Sequence, residues 1–159
     1  MKHQGFGSIV STASVAGLVP GSTATAYSVA KSTVIFLTKC AAIELAAHGI
    51  RVNCICPGFI ATSIFTRNAD LPSQVVERVM EDIGPILQSR QPLPKTGRTD
   101  DIANGVLYLA DDHAGFVTGV AFPIDGGFAA GAHPGQRETL WEPIRSTVAA
   151  VVERHAAED

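Results

Sequence analysis

The chain has 159 residues, 46% apolar, 17% charged and 6% aromatic, which is enough to bury the core of one ordinary domain and excludes a disordered or collagen-like chain. With 12 basic and 15 acidic residues, a formal charge of -3 and no basic block, nucleic acid and anionic membrane surfaces are not expected partners. Polar or small residues interrupt every apolar stretch before the ~18 residues that a spanning helix needs.

The first residues imitate a secretion signal, with Lys2, a fairly apolar stretch from Ser8 to Val19 and small residues around Ala24. Ser8, Ser11, Thr12 and Ser14 dilute that stretch, and its alternation fits a strand and loop better. Cys40, Cys54 and Cys56 are odd in number, and two of them stand at strand spacing, so buried reduced thiols are expected rather than a disulfide framework. The five histidines show no zinc-ligand spacing, and no metal site is expected. A cytoplasmic protein follows from these readings.

Gly7 to Thr12 is a β-branched run bounded by glycine and reads as a strand. After a loop with Pro20 and Gly21, Thr25 to His48 lacks Gly and Pro. There Val29, Thr33, Phe36, Leu37, Cys40, Ile43 and Leu45 approximate helical spacing. Gly49 supplies a helix stop. Ile50 to Cys56 is a second strand closed by Pro57-Gly58, and a long helix between two strands makes them parallel with a right-handed crossover.

From Thr62 to Thr96 the pattern loosens into a surface excursion with a weak helix near Pro72 to Ile83, followed by Pro85, Pro92 and Pro94. Thr99 or Asp100 can cap a helix to about Leu109, with Ile102, Val106 and Leu109 on one face. Val120 to Ile124 is a third strand, ended by Asp125-Gly126-Gly127. The expected core is therefore β-α-β-loop-α-β, a parallel α/β piece of at least three strands.

Beyond Gly127 comes a Gly/Ala/Pro connection, and Glu138 to Ala157 reads as an amphipathic helix with Leu140, Ile144, Val148, Val151 or Val152, and His155 in register. It is expected to pack on the same core, to cover a cleft or to form a subunit contact. Two regions are expected, residues 1–128 as the α/β domain and residues 129–159 as an extension.

Tyr27-Ser28-Val29-Ala30-Lys31 sets a phenol and an ammonium at i and i+4 on one helix face. A phenol ordinarily titrates near pH 10, and an adjacent cation favours its anion, which suits general acid–base work. Alone this spacing is commonplace. Ser14 adds weight, since it follows the first strand, and ligands of open parallel sheets bind outside the carboxyl ends of strands. The Pro57-Gly58-Phe59-Ile60-Ala61-Thr62 turn brings backbone polar groups and a hydroxyl to the same rim.

At this point the sequence resembles the classical short-chain dehydrogenase/reductase family from Gly5 to about Phe128. The run Gly7 to Ser14 looks like its active-site strand, with Ser14 thirteen residues before Tyr27. Tyr27 to Lys31 is its Tyr-x-x-x-Lys. Gly49 to Asn53, Pro57-Gly58 to Thr62, Gly97-Arg98, Thr118-Gly119 and Asp125-Gly126-Gly127 complete the set in family order. Ser11 and Ala13 stand where the family often has Asn and Ser.

The resemblance implies the carboxy-terminal half of a doubly wound, Rossmann-like sheet with a helical tail. It also implies hydride transfer between NAD or NADP and a small-molecule alcohol/carbonyl pair. Tyr27 would be the acid/base, Ser14 would hold the reacting oxygen, and Lys31 would favour the phenolate and bind the nicotinamide ribose with Tyr27. Pro57, Gly58, the Ile60 backbone and Thr62 would hold the carboxamide side of the cofactor. A homo-oligomer is implied, with the long helix at the subunit interface.

The family's glycine-rich turn, its adenosine-ribose reader, its Asn-Asn-Ala-Gly strand and its catalytic Asn have no counterpart in these residues. The first strand is then expected to be a sheet edge and the isolated chain to associate. The alternative expectation is a non-catalytic remnant acting as an interaction module, or a chain that needs a second one to complete the cofactor site.

Overall fold

The computed structural model describes residues 1–67, 70–131 and 141–150. Its first element, β1 (Gly7–Thr12), leads through a short 3-10 turn, Val15–Gly17, into the long helix α1 (Thr25–Ala46). Next come β2 (Ile50–Pro57), a 3-10 turn at Ser63–Thr66, α2 (Ser73–Gln88), α3 (Thr99–Ala110) and β3 (Ala121–Ile124). The strands form one parallel sheet in the order β1-β2-β3, with Gly7 opposite Ile50 and Cys54 opposite Ala121. The parallel α/β architecture expected from the sequence is the one observed.

Side chains alternate across β2, and each face meets a different helix. Ile50, Val52, Cys54 and Cys56 pack against Ile35 and Ala42 of α1, with Ala13 and Ile9 from the β1 side. Facing the other way, Arg51 donates from Nη1 to the Leu109 carbonyl at the end of α3 (2.7 Å) and from Nη2 to that of Asp111 (3.0 Å). A cation there also suits the negative end of the helix. β2 is thus covered on both sides, as a central parallel strand must be.

Several boundaries differ from the sequence reading, each for a local reason. α1 stops at Ala46 rather than His48, because His48 and Gly49 donate back to Leu45 and Ala46 (3.0 and 2.9 Å) in a tightened turn. Gly49 then reverses the chain at φ +67°, which disfavours a side chain. The weak helix expected from Pro72 to Ile83 begins at Ser73 and runs through Pro85 to Gln88. Gly84 precedes that proline, and without a Cβ it avoids the clash that usually expels the preceding residue from helical geometry.

α3 starts from Arg98 as N-cap, not from Thr99 or Asp100. The Asp101 carboxylate accepts the Arg98 backbone N–H (2.8 Å) and the Lys95 ammonium, which together hold its pKa below the usual carboxylate range. The third strand's ladder opens at Ala121, one residue after Val120.

α1 is apolar on both sides. Val29, Phe36, Leu37 and Ile43 point outward, Phe36 69% and Ile43 80% exposed, while Ile35, Thr38 and Ala42 are buried against the sheet. Residues 141–150 are helical and exposed throughout, with Trp141, Ile144 and Val148 at amphipathic spacing. The remainder of the helix expected from Glu138 to Ala157 lies outside the described residues. Among the described residues, no helix is long and apolar enough to cross a membrane, and no cluster of ligating side chains could hold a metal ion.

Asn53, fully buried on β2, secures the return to β3 by donating to the Val117 carbonyl (2.9 Å) and accepting the Val120 N–H (3.1 Å). Asn53→Leu keeps the bulk and leaves both backbone groups unpaired, a cost of about 1–3 kcal/mol. The expected outcome is a lower urea midpoint with an unchanged m-value.

Candidate active site

A cleft of about 1010 Å³ opens beyond the carboxyl ends of β1 and β2, the place where ligands bind in open parallel sheets. All seven residues singled out from the sequence line it: Ser14, Tyr27, Lys31, Pro57, Gly58, Ile60 and Thr62. They come from three segments.

The first segment is the end of β1. Ala13 extends the ladder by one bond, N–H to the Ile55 carbonyl at 2.8 Å, and Ser14 follows in extended conformation as the N-cap of the Val15–Gly17 turn. Its Oγ accepts the Ala16 N–H at 3.1 Å, so one lone pair is committed inward and the hydroxyl proton is free to be donated.

The second segment is the start of α1, where Tyr27 is 40% exposed. Lys31, one turn on, places Nζ 5.7 Å from the centroid of the Tyr27 ring and donates to the Thr12 carbonyl at 3.0 Å. That carbonyl faces away from β2, because in a parallel ladder the flanking Ser11 and Ala13 carry the inward bonds. Lys31 therefore donates to the outward carbonyl at the end of β1 while standing beside the phenol.

The third segment leaves β2. Gly58 donates to the Ile124 carbonyl (3.1 Å), and Phe59 packs edge-on to Phe128 at 5.3 Å between ring centroids. Asp125 fixes that neighbouring turn by accepting the Gly127 and Ala129 N–H groups at 2.9 and 2.7 Å. Ile60 bridges to Gly97 through the Ala61 N–H at 2.9 Å, which leaves Ile60's own N–H and C=O on the opposite side. The Thr62 hydroxyl makes no hydrogen bond among the described residues.

Two features escaped the sequence reading. Gly17 presses on the α1 backbone, where an added Cβ would lie 2.7 Å from the Lys31 carbonyl carbon and 2.8 Å from the Ser32 nitrogen. Its cause is the close approach of two backbones, for which a lone glycine in a small-residue loop gives no distinctive signal. The other is Arg67, which lines the cleft from just after the Ser63–Thr66 turn. A single arginine in an irregular stretch likewise carries no motif.

Cys56 also adjoins the site, beside the Ser14 backbone, but burial and then the neighbouring Cys54 push its thiol up to about 12. It stays protonated and is no nucleophile at neutral pH.

Residues 1–129 match the family model described as enoyl-(acyl carrier protein) reductase. Among curated relatives, the chain is 36% identical over 130 residues to cis-4-hydroxycyclohexanecarboxylate dehydrogenase of Sinomonas cyclohexanicum, covering 82% of this chain and 48% of that protein. Among solved structures, it resembles one assigned to the short-chain dehydrogenases/reductases from Burkholderia xenovorans. The TM-score is 0.67 and the identity 34%, over 83% of this chain and 47% of that one. It also resembles ElxO with NADP bound, at a TM-score of 0.68 and 30% identity over 82% and 50% of the two chains. The chain thus spans about half the length of the relatives it matches.

Gly17→Ala is expected to force the turn away from α1 at an overpacking cost of about 1–3 kcal/mol. The check is thermal unfolding, where the variant should melt several degrees below the parent.

Proposed function

Because the chain belongs to the short-chain dehydrogenase/reductase family, we propose that it forms the catalytic wall of a nicotinamide-dependent oxidoreductase acting on an alcohol and its ketone or aldehyde. The observation that carries this reading is the meeting of a serine hydroxyl, a phenol and an ammonium in one cleft, on β1 and α1. Residues 1–128 carry the site on this reading, and 129–159 are an extension.

In the reducing direction Tyr27 delivers its phenolic proton to the carbonyl oxygen, and in the oxidising direction it removes the proton of the alcohol. Ser14 donates its O–H to the same oxygen, while one of the two lone pairs of its Oγ accepts the Ala16 N–H. That bond fixes the oxygen within reach of Tyr27 and stabilises charge developing on it. The cofactor, when bound, supplies or accepts the hydride.

Lys31 and Tyr27 hold the ribose hydroxyls. Pro57 and Gly58 shape the turn, while the free Ile60 backbone groups and the Thr62 hydroxyl offer both donors and acceptors to a carboxamide. These groups suit NAD or NADP. Free thiols at Cys40, Cys54 and Cys56 fit a reducing compartment such as the cytoplasm.

Tyr27→Phe removes the transferable proton and one of the two side chains assigned to the ribose. Turnover of secondary alcohols by the enzyme carrying this segment is expected to fall by about 10²–10⁴-fold, with a far smaller effect on the Kd for NADPH, which Lys31 still holds. Near-parental turnover overturns the assignment.

The same reading includes a second copy of the chain packed on the outward apolar face of α1. Phe36→Glu sets a charge in that face, and sedimentation velocity should show a shift towards monomer.

A second reading is favoured by the position of β1 at the edge of the described sheet. On it the 159 residues are a non-catalytic interaction module, or they complete a cofactor site with a second chain. Saturable NADPH binding by the 159 residues alone, followed by cofactor fluorescence, would remove this second reading.

A further inference from the structure

The cleft has an uneven charge. Among the described residues its lining includes two cations, Lys31 and Arg67, and no aspartate or glutamate. Lys31 donates to the Thr12 carbonyl beside Tyr27, and on the dehydrogenase reading its other donors face the cofactor ribose. Arg67 has no hydrogen bond or ion pair among the described residues, whose ion pairs are Lys95 with Asp101 and His113 with Asp111. At the start of α3, which lines the cleft through Thr99 and Ile102, Asp101 is already held by Lys95 and the Arg98 N–H.

Arg67 is held at its base although its head is exposed. It ends the Ser63–Thr66 turn with helical dihedrals (φ −58°, ψ −23°), and the buried Thr66 beside it bonds through its hydroxyl to the Ser63 carbonyl at 3.1 Å. The Ala61–Gly97 backbone bond anchors the same segment upstream. A guanidinium stays charged at any working pH, and its planar fork matches the two oxygens of a carboxylate. Ile60, Ile64 and Phe65 line the same cleft with apolar surface.

We infer that Arg67 binds the carboxylate of the substrate, so that the substrate class is hydroxy acids and the corresponding keto acids rather than neutral alcohols. The inference rests on the dehydrogenase reading for where the reacting carbon lies. A cofactor phosphate shares the same anion chemistry, and the experiment separates the two sources.

The 159-residue chain is titrated with 3-hydroxyhexanoate and with its methyl ester by ligand-observed NMR, and with NADPH by fluorescence, for the parent, Arg67→Gln and Arg67→Lys. Matched thermal unfolding confirms that both variants fold. The parent is expected to prefer the acid by about tenfold, the lower end for a charge-assisted hydrogen bond. The preference should vanish in Arg67→Gln, partly return in Arg67→Lys and shrink with added salt.

Equal binding of acid and ester by the parent, or no binding of either, overturns the inference. So does an Arg67→Gln variant that weakens NADPH and keeps the acid preference, which would assign Arg67 to a cofactor phosphate. An Arg67-dependent acid preference in a chain that binds no NADPH supports the carboxylate site and favours the second reading, in which these residues do not hold the cofactor by themselves.

Discussion

Parallel pairing of β1 with β2, Gly7 opposite Ile50 and Thr12 opposite Ile55, puts the carboxyl ends of both strands on the same side, with β2 running on to Pro57. The chain must cross the sheet to re-enter in the same direction, and a crossover of that length is met by a helix. α1 is that helix, and its first turns necessarily begin beside the end of β1. Ser14 at the strand end, Tyr27 and Lys31 at the helix start, and Pro57 to Thr62 beyond β2 are therefore neighbours by topology before any side chain packs.

The constraint continues through β2 into the rest of the molecule. Its α1-facing residues are apolar, whereas on the other face Arg51 and Asn53 bind backbone groups of the segment that leads from α3 to β3. One strand thus supplies packing on one face and polar tethers on the other. The buried Asn53 is satisfied at both ends of its amide, which makes its burial tolerable.

Much of this was legible in the sequence because the relevant signals are local. β-Branched runs ended by glycine or Pro-Gly gave the strands, and Tyr27 with Lys31 one turn apart gave the helix face that meets the cleft. Less legible were features decided by non-local partners. Pro85 reads as a stop, yet Gly84 removes the clash that would make it one. Arg98 is a poor capping side chain, yet Asp101 reaches back to its N–H, aided by Lys95. The outward face of α1 could not be told from its inward face, because both carry large apolar side chains, Ile35 inward and Phe36 and Ile43 outward. Gly17 and Arg67 matter through what lies opposite them in space, information that no spacing along the chain encodes.

The contact at Gly17 has a mechanical consequence. Where side chains meet, rotamer changes let a gap breathe by an ångström or more, but here main chain rests on main chain at the level of Lys31 and Ser32. The turn that begins at Ser14 is seated against a hard stop, so its offset from the helix bearing Tyr27 is a fixed length of the fold. Repacking the surrounding apolar residues would leave that offset in place, much as a machined shoulder keeps two parts aligned when the padding between them is changed.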